Sequence, residues 1–135
     1  MHSLYIADDN HDFADFIATV ARQEGWKVEV CSNGYELINR LKESHGPALL
    51  FVDVNMPVMD GLEAIEGLVG LDRQLTIRFI TGGEISTIIA AKMIANARDL
   101  KVGRSIFKPI SKAELVTILR AESKELTLSG VETKG

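Results

Sequence analysis

The chain has 135 residues, 25% charged and 46% hydrophobic, with 11 glycines, three prolines and one cysteine, which fits one compact domain and all but excludes a second. Nineteen acidic against 15 basic residues give a net charge of -4, which disfavours a broad electrostatic grip on nucleic acid, and the lone Cys31 excludes an internal disulfide and suggests a reducing compartment. No apolar run approaches the ~18 residues that cross a bilayer, and Met1 to Asp9 lack the basic and long apolar segments of a secretory leader, so the expectation is a soluble, cytoplasmic domain.

Leu4 to Ala7 is a short apolar run that ends at Asp8-Asp9-Asn10. Phe13, Phe16, Ile17, Val20 and Ala21 then recur at helical spacing. Lys27 to Cys31 alternates as a strand does, and Tyr35, Leu37, Ile38 and Leu41 predict a second amphipathic helix ending near His45-Gly46-Pro47. Ala48 to Val52 is continuously apolar, as a parallel strand covered on both faces must be, and Asp53 is the first polar residue after it. The following Asn55-Met56-Pro57-Val58-Met59-Asp60-Gly61 reads as a constrained loop, with Pro57 restricting Met56 and Gly61 relaxing the chain before a helix built on Leu62, Ile65, Leu68 and Val69.

Leu75 to Ile80 is a fourth strand, interrupted by Thr76 and Arg78 and followed by Thr81-Gly82-Gly83. Glu84 to about Leu100 predicts a helix of four or more turns, and Val102 to Phe107 a weaker strand interrupted by Gly103, Arg104 and Ser105. After Lys108-Pro109, Ser111 is a helix cap with Glu114 three residues on, and Leu115, Val116, Ile118 and Leu119 supply the last packing face. Strands alternating with helices predict an α/β fold with an open, doubly wound parallel sheet, because parallel strands need crossover connections. The expected domain covers residues 1–124, with 125–135 a tail or a truncated linker to a further domain.

Residues just past the carboxyl ends of parallel strands converge on one rim. Here that rim would collect Asp8, Asp9, Asp53, Thr81 and Lys108. Three carboxylates repel one another unless a cation or protons compensate them, and hard oxygen ligands without soft ones point to Mg²⁺ in preference to Zn²⁺. A strand-end carboxylate can attack a phosphoryl group to form an acyl phosphate, and Asp53, on the most buried strand, is the best candidate. Lys108 would add fixed positive charge and Thr81 a hydroxyl hydrogen bond. Taken singly, each carboxylate reads as a helix cap; four such features at successive strand ends are far less often accidental.

At Asp8-Asp9, Asp53-Val54-Asn55-Met56-Pro57-Val58-Met59-Asp60-Gly61, Thr81 and Lys108-Pro109 the chain resembles the receiver domains of two-component response regulators, from about Leu4 to about Arg120. The resemblance implies a flavodoxin-like sheet of five strands in the order 2-1-3-4-5, a phosphorelay in which a sensor histidine kinase or phosphotransfer protein phosphorylates Asp53, and slow autodephosphorylation. It also implies Mg²⁺ held by Asp9, Asp53 and the backbone carbonyl of Asn55, with Asp8 helping through water. Thr81 would move toward the phosphoryl oxygens while Lys108 pairs with them, remodelling the face of the fourth helix and fifth strand, where a downstream protein or effector domain would dock.

Two departures bear on that implication. Receivers commonly carry an aromatic residue three positions before the lysine, where this chain has Ser105; alternation puts Phe107 opposite Lys108, and core packing is expected of it. The segment between Thr81 and Lys108 is similar to that of variant receivers found ahead of cyclic-di-nucleotide phosphodiesterase domains, with an output face expected at Ile88, Lys92, Ala95 and Asp99. The alternatives are a receiver-fold scaffold indifferent to phosphorylation and, less favoured, a phosphatase of the haloacid dehalogenase type. The latter family has an aspartate two positions after the nucleophile, where Asn55 stands.

Overall fold

The computed structural model describes residues 1–134; Gly135, the end of the expected tail, lies outside the described residues. In chain order the elements are β1 (Ser3–Ala7), α1 (His11–Gln23), β2 (Lys27–Cys31), α2 (Gly34–Lys42), β3 (Ala48–Asp53), α3 (Gly61–Val69), β4 (Leu75–Thr81), α4 (Ile85–Ala97), β5 (Lys101–Val102), β6 (Ile106–Phe107) and α5 (Lys112–Lys134). All strand pairings are parallel and the order is β2-β1-β3-β4-β5, with β6 also on β4. The predicted fifth strand is thus two short pieces on one neighbour. Gly103 donates to the Ile77 carbonyl between them, and its Cα lies so close to Arg78 that a Cβ would come within 3.4 Å of that side chain.

The pleat divides the core in two. Tyr5, Leu50, Val52, Ile77 and Phe79 face α2, α3 and α4, whereas Leu4, Ile6, Leu49, Phe51 and Ile80 face α1 and α5. Every residue of β3 is buried, which is why that strand reads as an unbroken apolar run. The mid-strand charge at Arg78 is also accounted for: on the α5 side its guanidinium donates to Glu122 at 3.2 Å and to the Arg104 carbonyl at 3.2 Å. A charge so placed is paired, as burial requires.

Four sequence expectations are corrected. α4 spans 13 residues, just under four turns, and closes at Arg98, because Asp99 takes a positive φ of 63° and turns the chain away. Its apolar residues surround it rather than forming one stripe, so periodicity misplaced its faces: Ile88 and Ala95 are buried, while Ile85, Ile89 and Met93 are exposed. Phe107 is half exposed instead of in the core, on an edge strand with no neighbour beyond it among the described residues. Gly61 is needed for close approach rather than flexibility, since a Cβ there would lie 2.8 Å from the Asp53 carbonyl oxygen. α5 is a single helix from Lys112 to Lys134. Among the described residues no helix is long and apolar enough to cross a membrane.

Candidate functional site

Apart from Asp9, the rim residues are held at the last hydrogen bonds of the strand ladders. The Asp8 amide donates to the Cys31 carbonyl at 3.0 Å, the Val54 amide after Asp53 donates to Ile80 at 3.0 Å, and the Lys108 amide donates to Thr81 at 2.9 Å. The sheet therefore sets the spacing of these side chains before any of them interacts. Asp8, Asp53 and Thr81 are buried, whereas Asp9 is exposed.

Ligand oxygens of Asp8, Asp9 and Asp53 come within 4.8 Å of one another. Lys108 Nζ lies 2.8 Å from Asp53 Oδ2, to which it donates, and 2.9 Å from Asp8 Oδ2. The second contact is an ion pair without hydrogen-bond alignment, so Asp8 Oδ2 is buried with a lone pair unused. The other oxygens are oriented by the backbone: Asn10 N–H donates to Asp8 Oδ1 and Asn55 N–H to Asp53 Oδ1, each at 2.8 Å. Asn55 thus meets the site through its main chain, with its side chain in solvent.

One ammonium serves two buried carboxylates, and the imbalance shows in the protonation of Asp8. Burial pushes the Asp8 carboxyl above its ordinary value; the pairing with Lys108 and the hydrogen bond from Asn10 oppose that rise, and the Asp53 charge adds to it. Burial alone would lower the Lys108 ammonium, but its hydrogen bond to Asp53, its pairing with Asp8 and the charges of both carboxylates outweigh it and the net shift is upward. A divalent cation relieves the same imbalance. Three hard oxygen donors and an unused buried lone pair fit Mg²⁺, and the acidic cluster is able to bind it.

Thr81 Oγ1 accepts from the Gly83 amide at 3.2 Å, which ties the hydroxyl to the start of the loop before α4. The loop after β3 is closed at its far end by a reciprocal cap: Asp60 Oδ1 accepts from Glu63 N–H at 2.9 Å and Glu63 Oε1 accepts from Asp60 N–H at 3.2 Å. The Lys108–Pro109 peptide bond is cis. Ser105 Oγ is buried without a partner, so the position where receivers commonly place an aromatic ring holds a small, unsatisfied hydroxyl.

Sequence reasoning missed two residues. Phe13 places its ring centroid 4.8 Å from Lys108 Nζ, a contact that its helical spacing disguised as ordinary packing. Arg73 gathers the opposite end of the sheet, donating to the carbonyls of Leu41, His45 and Gly46 and to the Tyr5 hydroxyl. Its position in a polar loop left no periodic signal.

The model of the response regulator receiver domain family matches residues 4–120. The response regulator receiver protein CpdR of Brucella abortus is 32% identical over 117 residues, covering 86% of this chain and 92% of CpdR. The response regulator protein TodT of Pseudomonas putida is 32% identical over 124 residues, covering 90% of this chain and 51% of TodT, so the chain spans about half of that relative. Among solved structures, a CheY-like receiver domain protein from Methanospirillum hungatei superposes with a TM-score of 0.78 at 20% identity, covering 100% of this chain and 99% of that one. The receiver domain of a Pseudomonas aeruginosa sensor histidine kinase, solved with magnesium coordinated in its active-site cleft, gives 0.74 at 19% identity, covering 89% and 95%.

Proposed function

The chain belongs to the response regulator receiver domain family, and from that membership we propose that Asp53 is its phosphoacceptor. The observation that carries the reading is the single cation, Lys108, shared between Asp53 and Asp8 beside a third carboxylate. An Asp53 oxygen attacks the phosphorus of a phosphohistidine on a kinase or phosphotransfer protein. The P–N bond breaks, its electron pair returns to the imidazole, which takes a proton, and an acyl phosphate P–O bond forms.

Asp9, Asp53 and the Asn55 carbonyl, with Asp8 through water, would hold Mg²⁺, which would supply charge compensation between carboxylate and phosphoryl oxygens. Lys108 pairs with the new oxygens, and Thr81 exchanges its bond from Gly83 N–H for one that it donates to them. That exchange couples phosphorylation to the loop leading into α4, since the added oxygens interact differently with the two arrangements. We assign the output surface to α4 and the edge strand, where Ile85, Ile89, Met93 and Phe107 are exposed. The receiver unit is assigned to residues 1–124, with 125–135 leading out of it, and the chain to the cytoplasm.

Intact-mass measurement with acetyl phosphate and Mg²⁺ tests the assignment. A gain of one phosphoryl group is expected, absent without metal and in Asp53→Asn. Folded protein that shows no gain under rapid sampling, and no response to beryllofluoride, would instead make the chain a scaffold indifferent to phosphorylation. The buried, unpartnered Ser105 hydroxyl where an aromatic ring is common favours that second reading over any enzymatic one.

A further inference from the structure

We propose that Phe13 is a positioning residue: the face of its ring holds the Lys108 ammonium at the acidic rim, a role that rests on the phosphoacceptor reading of the same site. The Nζ atom lies 4.8 Å from the ring centroid, inside the roughly 6 Å over which a cation is drawn to an aromatic face. Its two other close partners are Asp8 and Asp53. Those are the oxygens that metal and phosphoryl group would recruit, so the carboxylates slacken their hold on Lys108 when the site is put to use. The ring carries no net charge and no lone pair that a metal would take. Its attraction for the ammonium persists through that change.

The ring is also tied to the carboxylates by the chain itself. Phe13 N–H donates to Asn10 Oδ1 at 3.1 Å, and Asn10 N–H donates to Asp8 Oδ1 at 2.8 Å. One turn thus fixes the aspartate and the ring together, while Phe13, partly buried, packs against the core under α1. Packing alone would be served by leucine, which fills the space but offers a cation nothing. An aromatic face there keeps the ammonium preorganised for the oxygens that arrive.

The discriminating experiment replaces Phe13 with 4-fluoro-, trifluoro- and pentafluorophenylalanine, a series of nearly constant shape whose ring face grows progressively less negative. The first reading is the phosphorylation rate with acetyl phosphate and Mg²⁺. A stepwise fall, about three- to tenfold from phenylalanine to the pentafluoro ring, is expected, with Phe13→Tyr within about twofold of the unsubstituted protein. The second reading needs neither metal nor phosphodonor: the Lys108 ε-methylene protons should resonate upfield under the ring and move downfield in Phe13→Leu. A flat rate across the series, or unchanged Lys108 resonances in Phe13→Leu, would overturn the proposal and leave Phe13 as packing. Should the heavily fluorinated proteins fold poorly, the Lys108 resonances in Phe13→Leu still decide it. An unsubstituted protein that accepts no phosphoryl group strikes the phosphoacceptor reading instead, and the Lys108 resonances then judge the ring contact by themselves.

Discussion

Val58 takes a φ of 67°, in the left-handed region, with Met59 N–H bonded back to the Pro57 carbonyl at 2.7 Å. A β-branched residue there is strained by about 1–2 kcal/mol, and its side chain, 79% exposed, gains nothing from packing in return. Val58→Gly removes the clash at an entropic cost of roughly 0.5–1 kcal/mol, so a net gain near ~0.5–1 kcal/mol is expected in urea unfolding, against little change for Val58→Ala. Equal midpoints for the two variants would show that the turn is not strained. This strain is invisible in the sequence, where valine between proline and methionine carries no mark of a positive φ. The rim residues were legible for the opposite reason: Asp8, Asp9, Asp53, Thr81 and Lys108 are polar groups that end apolar runs, and the parallel sheet brings such ends together whatever their separation.

Elements differ in how firmly local chemistry anchors them. α3 begins with the reciprocal Asp60–Glu63 cap. α4 has no side-chain cap to a backbone N–H: Glu84 Oε2 accepts from the Thr87 hydroxyl at 3.0 Å instead, and no acidic residue follows in its first turn nor a basic one in its last. Asp60→Ala should therefore cost about 1 kcal/mol, while Glu84→Ala should change stability by less than ~0.5 kcal/mol. Equal losses in chemical denaturation would contradict the distinction. An element with weak local anchoring, joined to the site through Thr81 and Gly83, is suited to shift when the site changes. The same weakness obscured it in the sequence. α1 and α2 have one apolar face and were legible in outline, whereas α4 is apolar all round, and only the packing on β4 and β5 settles that Ile88 and Ala95 turn inward. Phe107 was misplaced by a related cause: alternation names the two faces of a strand without saying whether a helix covers them.

Across the whole molecule, stability comes from the two half-cores and is partly given up at the rim. The sheet holds ligand oxygens of three carboxylates within 4.8 Å of one another, two of the three paired with one ammonium, and the Asp8 carboxyl sits above its ordinary value of 3.8, chiefly through burial. A raised folded-state pKa means that the contribution of Asp8 is fully present below 3.8 and is lost as pH rises through the folded value. Lys108, raised above 10.5, contributes at neutral pH and loses that contribution only when pH climbs past its folded value. Above the folded value of Asp8 the metal-free protein thus carries the cost of ionising that carboxyl while still keeping the benefit of Lys108. Replacing Asp8 with asparagine retains an acceptor for Asn10 N–H and removes the charge, so Asp8→Asn should be more stable than the parent by about 1 kcal/mol at pH 7 without metal, and the advantage should vanish in acid. Mg²⁺ reverses the ranking, because a ligand bound only by the folded state stabilises by about 2.7 kcal/mol at a hundred times its dissociation constant, and the variant should forfeit most of that. Thermal melts of both proteins, with and without Mg²⁺ across pH 4 to 8, read all of these terms. A metal-free Asp8→Asn protein less stable than the parent at pH 7 would mean that the ion pair with Lys108 outweighs burial, and that the rim was not built at the expense of the fold.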